Sequence, residues 1–266
     1  MPSGFGRFKR ILVPVDFSLR AANALAYAVA LGSRSRAEID VVHVWHSDLA
    51  TGVTLARERA KSELRDFVAE LELRGDVTVR RRVELGDPYL TIQRLAQLTA
   101  FDLLVVAGPE PSHGAASVAR SLIRSASTPV LFVPAQCLAR EWTGGEPVLS
   151  LERIVVPLAL AGAQLSALDC AQELAEVDHA RIEVLLTPDA SPAQIQHLRL
   201  RPQLAHLAQS EHREGSEQVA PRRVQSSRFD LLIMAGPRAP VGENASDMRQ
   251  ERIALAVPCP SLSLLE

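Results

Sequence analysis

The sequence holds few of the residues that specialised chemistry draws on. Only three cysteines occur, Cys137, Cys170 and Cys259, far apart and in no CxxC arrangement. Neither a disulfide framework nor a structural zinc site is encoded, and a reducing cytosol is the expected compartment. Aromatic residues make up 4% of the chain, which leaves few platforms for stacking bases. No charge of one sign dominates: 29 Lys+Arg face 31 Asp+Glu, so no global field attracts a nucleic-acid backbone or an anionic membrane. Long apolar runs are missing too. The amino-terminal MPSGFGRFKR precedes a short apolar segment containing Pro14 and Asp16, which is neither a signal-peptide core nor a membrane span. What remains, 47% hydrophobic and 23% charged over 266 residues, is the composition of one large globular domain or two ordinary ones.

The chain repeats itself. Phe101-Asp102-Leu103-Leu104-Val105-Val106-Ala107-Gly108-Pro109 returns as Phe229-Asp230-Leu231-Leu232-Ile233-Met234-Ala235-Gly236-Pro237. Upstream, Arg10-Ile11-Leu12-Val13-Pro14 returns as Arg153-Ile154-Val155-Val156-Pro157, and Thr128-Pro129-Val130-Leu131 is echoed by Cys259-Pro260-Ser261-Leu262. Self-similarity in this order predicts two domains of similar fold, 1–138 and 150–266, the second shortened between its first two motifs. The junction falls at the turn-forming Thr143-Gly144-Gly145-Glu146-Pro147.

Within the first copy, the apolar runs 11–15, 39–45, 103–107 and 130–133 read as buried strands, and 77–85 alternates like an exposed one. Between them the three- and four-residue spacing of apolar positions predicts helices after Ser18 to Gly32, over 55–73, 88–98 and 117–125. Strands alternating with helices imply an α/β fold of doubly wound parallel sheets, Rossmann-like, in two tandem domains. Ligands of such sheets collect at the carboxyl ends of the strands, where 15–18, 44–46 and 108–117 converge.

The residues Ile11-Leu12-Val13-Pro14-Val15-Asp16-Phe17-Ser18, Val41-Val42-His43-Val44, Gly86-Asp87-Pro88, Asp102-Leu103-Leu104-Val105-Val106 and Ser117-Val118-Ala119, followed by Pro129-Val130-Leu131, resemble the universal stress protein family over nearly the whole chain. The resemblance implies an adenine nucleotide alpha hydrolase-like fold binding an adenine nucleotide, ATP or AMP. It places Asp16 against adenine or ribose and a glycine loop, opened by Gly108, around the phosphates. Glycines let amides approach phosphate oxygens, and the next helix points its positive end at them. The loop departs from the family pattern: Pro109, Glu110 and Pro111 remove amide donors and add a negative charge. Gly114, Ser117 and the helix start remain favourable. In the second copy Ala159 stands where the first has Asp16, so a scaffold without a site is expected there.

Several side chains admit plainer readings. Asp16 serves equally as a carboxylate at a helix start or as a ligand contact. Gly108 also suits a turn leaving a buried strand. His43, His46 and His113 lack the carboxylate or cysteine spacing of a metal site, and Ser112-His113 lacks an orienting acid and oxyanion hole. The basic run Arg80-Arg81-Arg82 reads as a solvated face rather than a nucleic-acid contact. Strands 130–133 and 262–265 would otherwise be bare sheet edges, and their pairing within the chain is expected, as a pseudo-dimer, with homodimerisation beyond that left open.

The function expected is a non-enzymatic, cytoplasmic stress-response binding protein. Its first domain keeps a degenerate nucleotide pocket of Asp16, Phe17, Ser18, Val44, Gly108, Gly114 and Ser117, its second domain is structural, and its partner is another protein. The alternatives are an ATP- or AMP-binding protein with at most slow hydrolysis, and an interaction scaffold without a small ligand.

Overall fold

β-Branched runs punctuated by proline and aspartate become strands, and the alanine-rich or periodic stretches between them become helices. The computed structural model describes residues 7–45, 53–71, 76–108, 118–135, 137, 151–158, 165–186, 208–211, 230–236, 254 and 259–265. The chain divides into two units, Met1–Leu149 and Ser150–Glu266.

Unit one runs β1 (Arg10–Pro14), α1 (Leu19–Ser33), β2 (Glu38–Trp45), α2 (Val53–Glu70), β3 (Thr78–Leu85), α3 (Pro88–Leu98), β4 (Leu103–Ala107), α4 (Val118–Ser125) and β5 (Val130–Val133). Its strands are parallel, in the order β3-β2-β1-β4-β5. The chain steps outward from β1 to β3 and then returns to β4 and β5. Right-handed crossovers therefore put α1 and α2 on one face and α3 and α4 on the other. Ile11, Leu12, Leu103 and Leu104 at the sheet centre are completely buried, as strands covered on both faces must be. The Ser18 hydroxyl caps α1 by accepting from the Ala21 amide at 3.2 Å. Alanines at 24, 26 and 28, all fully buried, let this helix lie close to the strands.

Sequence and structure differ mainly at element ends. The helix expected over 55–73 runs from Val53 to Glu70, and Gly75, expected to stop it, lies outside the described residues. On β3 the expected alternation is blurred, because this strand pairs on one side only with β2 and its outward face is half-covered by charge pairs. Arg80 reaches Glu38 at 3.0 Å and Arg82 reaches the buried Asp40 at 3.3 Å. Two members of the basic run are thus neutralised across the strand pair, which blunts an edge strand with charge. On the outer side of α2 the hydrogen bond and charge of Lys61 hold the Glu58 carboxyl below its ordinary range.

Asp102, just before β4, ties the start of the sheet together. Its Oδ2 accepts from the amides of Lys9 at 2.8 Å and Arg10 at 2.9 Å, while its own amide donates to the Arg10 carbonyl at 2.8 Å. The Arg10 guanidinium lies 5.4 Å from the Phe101 ring centre.

Unit two runs β6 (Arg153–Leu158), α5 (Leu165–Asp178), β7 (Arg181–Leu186), β8 (Ala208–Glu211), β9 (Leu231–Gly236) and β10 (Ser261–Leu265). These strands are also parallel, in the order β10-β9-β6-β7-β8, the same order as unit one read from its last strand. Asp230 repeats the tie: its Oδ2 accepts from the amides of Glu152 at 2.8 Å and Arg153 at 2.9 Å. The repeated Phe-Asp-Leu-Leu motif therefore has a mechanical reason, a carboxylate that gathers two amides at the entry of the neighbouring strand. Among the described residues no helix is long and apolar enough to cross a membrane.

Candidate functional site

At the carboxyl ends of β1, β2 and β4 in unit one lies a cavity of about 350 Å³. Strand order reverses between β1 and β4, so their following segments diverge to opposite faces and leave a crevice, the usual ligand position in an open parallel sheet. Its volume falls in the range of small-molecule sites. Val42, Val106, Ile92 and Leu122 provide apolar wall, and Asp16, Arg20 and His43 provide the charged and polar groups.

Asp16 follows β1 and is exposed. Its Oδ1 accepts from the Ser18 amide at 3.1 Å and from the Ser18 hydroxyl, whereas Oδ2 takes no hydrogen bond among the described residues. The carboxylate thus organises the start of α1 through Oδ1, and the residue also lines the cavity. Arg20, the second residue of α1, also lines the cavity, so the charged lining holds one anion and one cation.

Phe17 sits between Asp16 and Ser18 with φ 62°. For a bulky side chain this left-handed conformation costs about 1–2 kcal/mol. Its ring stacks on His43, with centroids 4.2 Å apart and planes at 28°, and meets Phe67 of α2 edge-on at 5.5 Å. His43 Nδ1 lies 2.9 Å from the Val15 carbonyl. A carbonyl only accepts, so Nδ1 carries the proton in this bond.

Gly108 closes β4. Its amide donates to the Val133 carbonyl at 2.7 Å, and a Cβ there would meet Val133 O, Pro134 Cα and Ala135 N, each at 3.2 Å. Close approach to the exit of β5 thus accounts for the glycine by packing alone, although the residue also lines the cavity. Gly86, with φ 142°, turns the chain from β3 into α3. There Asp87 caps the helix by accepting from the Leu90 amide at 2.9 Å, and Pro88 lines the cavity.

The structure brings Asp16, Val44 and Gly108 to one cavity and adds Arg20, His43 and Pro88. Phe17 and Ser18 are not among the lining residues and act behind it. Gly114, Ser117, His46 and His113 lie outside the described residues. Pro88 and His43 are not among the expected site residues, although both stand in the motifs that carry the resemblance, Gly86-Asp87-Pro88 and Val41-Val42-His43-Val44. Arg20 carried no signal beyond its place four residues after Asp16. Among the described lining residues there is no hydroxyl, thiol or amine nucleophile. Among the described residues there is also no group of three His, Cys, Asp or Glu side chains placed to hold a metal ion.

A doubly wound parallel α/β unit with its cavity at the switch point is the class that this geometry defines. The model of the universal stress protein family matches residues 7–134, so the first unit is a domain of that family. Among solved structures, a universal stress protein from Archaeoglobus fulgidus DSM 4304 aligns over 100% of this chain and 99% of its own, with a TM-score of 0.73 at 13% identity. A protein of unknown function from Pseudomonas aeruginosa PAO1 aligns over 99% of this chain and 94% of its own, with a TM-score of 0.60 at 15% identity. At such identities the likeness is one of fold.

Proposed function

We propose that the protein is a non-enzymatic stress-response binding protein whose first unit takes the nucleoside part of an adenine nucleotide and whose second unit is structural. The observation that carries this reading is the cavity at the switch point, with apolar walls for a base and the Asp16 carboxylate at its rim to accept from hydroxyl groups. The proline-interrupted sequence Gly108-Pro109-Glu110-Pro111 lacks the amide donors that a phosphate chain needs. In unit two the shared strand order and the Asp230 tie preserve the scaffold, and Ala159 replaces the carboxylate.

Calorimetric titration with adenosine and with ATP and magnesium, accompanied by a chromatographic assay for ADP, tests the reading. One adenosine site per chain, no tighter binding of ATP and no ADP above blank are expected. Asp16→Ala should weaken adenosine binding by roughly tenfold or more, the loss of a hydrogen bond to a charged group. Lack of adenosine binding, ATP binding far tighter than adenosine, or steady ADP formation would overturn it.

A further inference from the structure

The cavity's carboxylate depends on a residue that does not line the cavity. We infer that Phe17 is a positioning residue, whose ring, clasped between His43 and Phe67, holds the turn after β1 in a left-handed bend and thereby aims Asp16 at the ligand. This inference rests on the nucleoside-binding reading above.

Three observations meet at this turn. Phe17 has a positive φ although it is neither glycine nor a short polar residue, and such a conformation persists only where the surroundings over-determine it. The surroundings here are identifiable. One ring face stacks on His43, which is itself tied to the Val15 carbonyl, and Phe67 supports the ring from α2. Finally, Asp16 Oδ1 bonds to the Ser18 amide and hydroxyl across Phe17, so the carboxylate and the strained residue belong to one closed turn. With Oδ1 spent on Ser18, the direction of Oδ2 is set by the backbone of this turn. Releasing the ring would free the turn and spread Asp16 over several orientations, and ordering it again on binding would weaken affinity.

Phe17→Gly provides the first test, because glycine adopts φ near 60° without steric cost and so removes the clasp while permitting the bend. Adenosine affinity, measured by calorimetry on the full chain, should fall roughly tenfold, a loss of about 1.4 kcal/mol. Phe17→Tyr keeps the ring and should bind as the unmodified protein does. Phe67→Leu, a substitution on α2 outside the cavity lining, should weaken binding by about threefold, roughly 0.65 kcal/mol by the same conversion, with thermal unfolding followed in parallel to show that the variant folds.

A double-mutant cycle separates positioning from general destabilisation. In an Asp16→Ala background Phe17→Gly should change adenosine affinity less than about twofold, since nothing is left to aim. Unchanged adenosine affinity in Phe17→Gly, or losses from Phe17→Gly and Asp16→Ala that simply add, would overturn the inference while leaving the binding reading intact. Failure of the unmodified protein to bind adenosine would overturn both.

Discussion

Removing the Asp102 carboxylate should loosen the entry of the unit-one sheet by an amount that the geometry predicts. Two backbone amides, on Lys9 and Arg10, donate to its Oδ2 at 2.8 and 2.9 Å, and a hydrogen bond to a charged group contributes about 1.5–3 kcal/mol. The Lys9 bond is exposed and the Arg10 bond partly buried. Water therefore replaces the first at little cost, and Asp102→Ala should cost about 2 kcal/mol, mostly from the second. Asp102→Asn keeps an acceptor without its charge and should cost about half as much, since charge assistance roughly doubles such a bond. Urea unfolding followed by hydrogen exchange in β1 reports on this unit. With a slope of about 2 kcal/mol per molar urea, its midpoint should fall by about 1 M in Asp102→Ala. Asp230→Ala is the internal control: through the same two-amide geometry it should lower protection in β6. A midpoint for Asp102→Ala indistinguishable from that of the unmodified protein would refute the reasoning and reduce the repeated motif to a sequence echo.

Two other perturbations test the packing account. Burial pushes the Cys137 thiol up from 9.0 to about 12, so the folded protein keeps it protonated where the unfolded chain ionises it. Its contribution to stability is full below pH 9 and should decline as pH rises from there toward 12. Comparing the alkaline unfolding of Cys137→Ala with that of the unmodified protein should show a smaller alkaline loss in the variant, and equal losses would contradict the assignment. Gly108→Ala places a methyl group 3.2 Å from three backbone atoms at the exit of β5. Its expected cost is about 1–3 kcal/mol of overpacking, read as a lowered thermal midpoint, and an unchanged midpoint would return Gly108 to a purely ligand-directed role.

Much of unit one was readable before any coordinates. The spans 88–98, 103–107 and 130–133 emerge with the ends expected of them, because each is bounded by a local signal: Asp87 as cap with Pro88 in the first turn, Asp102 before a β-branched run, Pro129 before another. The α2 ends were less legible, since neither end carries so distinct a stop. In the site, Asp16 stood out because a carboxylate ending a buried strand is conspicuous in one dimension. The repeat was conspicuous too, but its cause was not, because the partners of Asp102 lie more than ninety residues upstream.

By itself, then, the sequence determined the elements, their parallel winding and the sheet edge at which the cavity opens, since apolar periodicity, caps and prolines act over a few neighbouring residues. Only the tertiary structure decided which side chains meet there. Arg20 lines the cavity, Gly108 accommodates the exit of β5, Arg80 and Arg82 spend their charge on Glu38 and Asp40, and Phe17 bends its own backbone against His43 and Phe67. Each of these depends on strand register or helix packing, which join residues distant in the chain and leave little trace in the order of the residues.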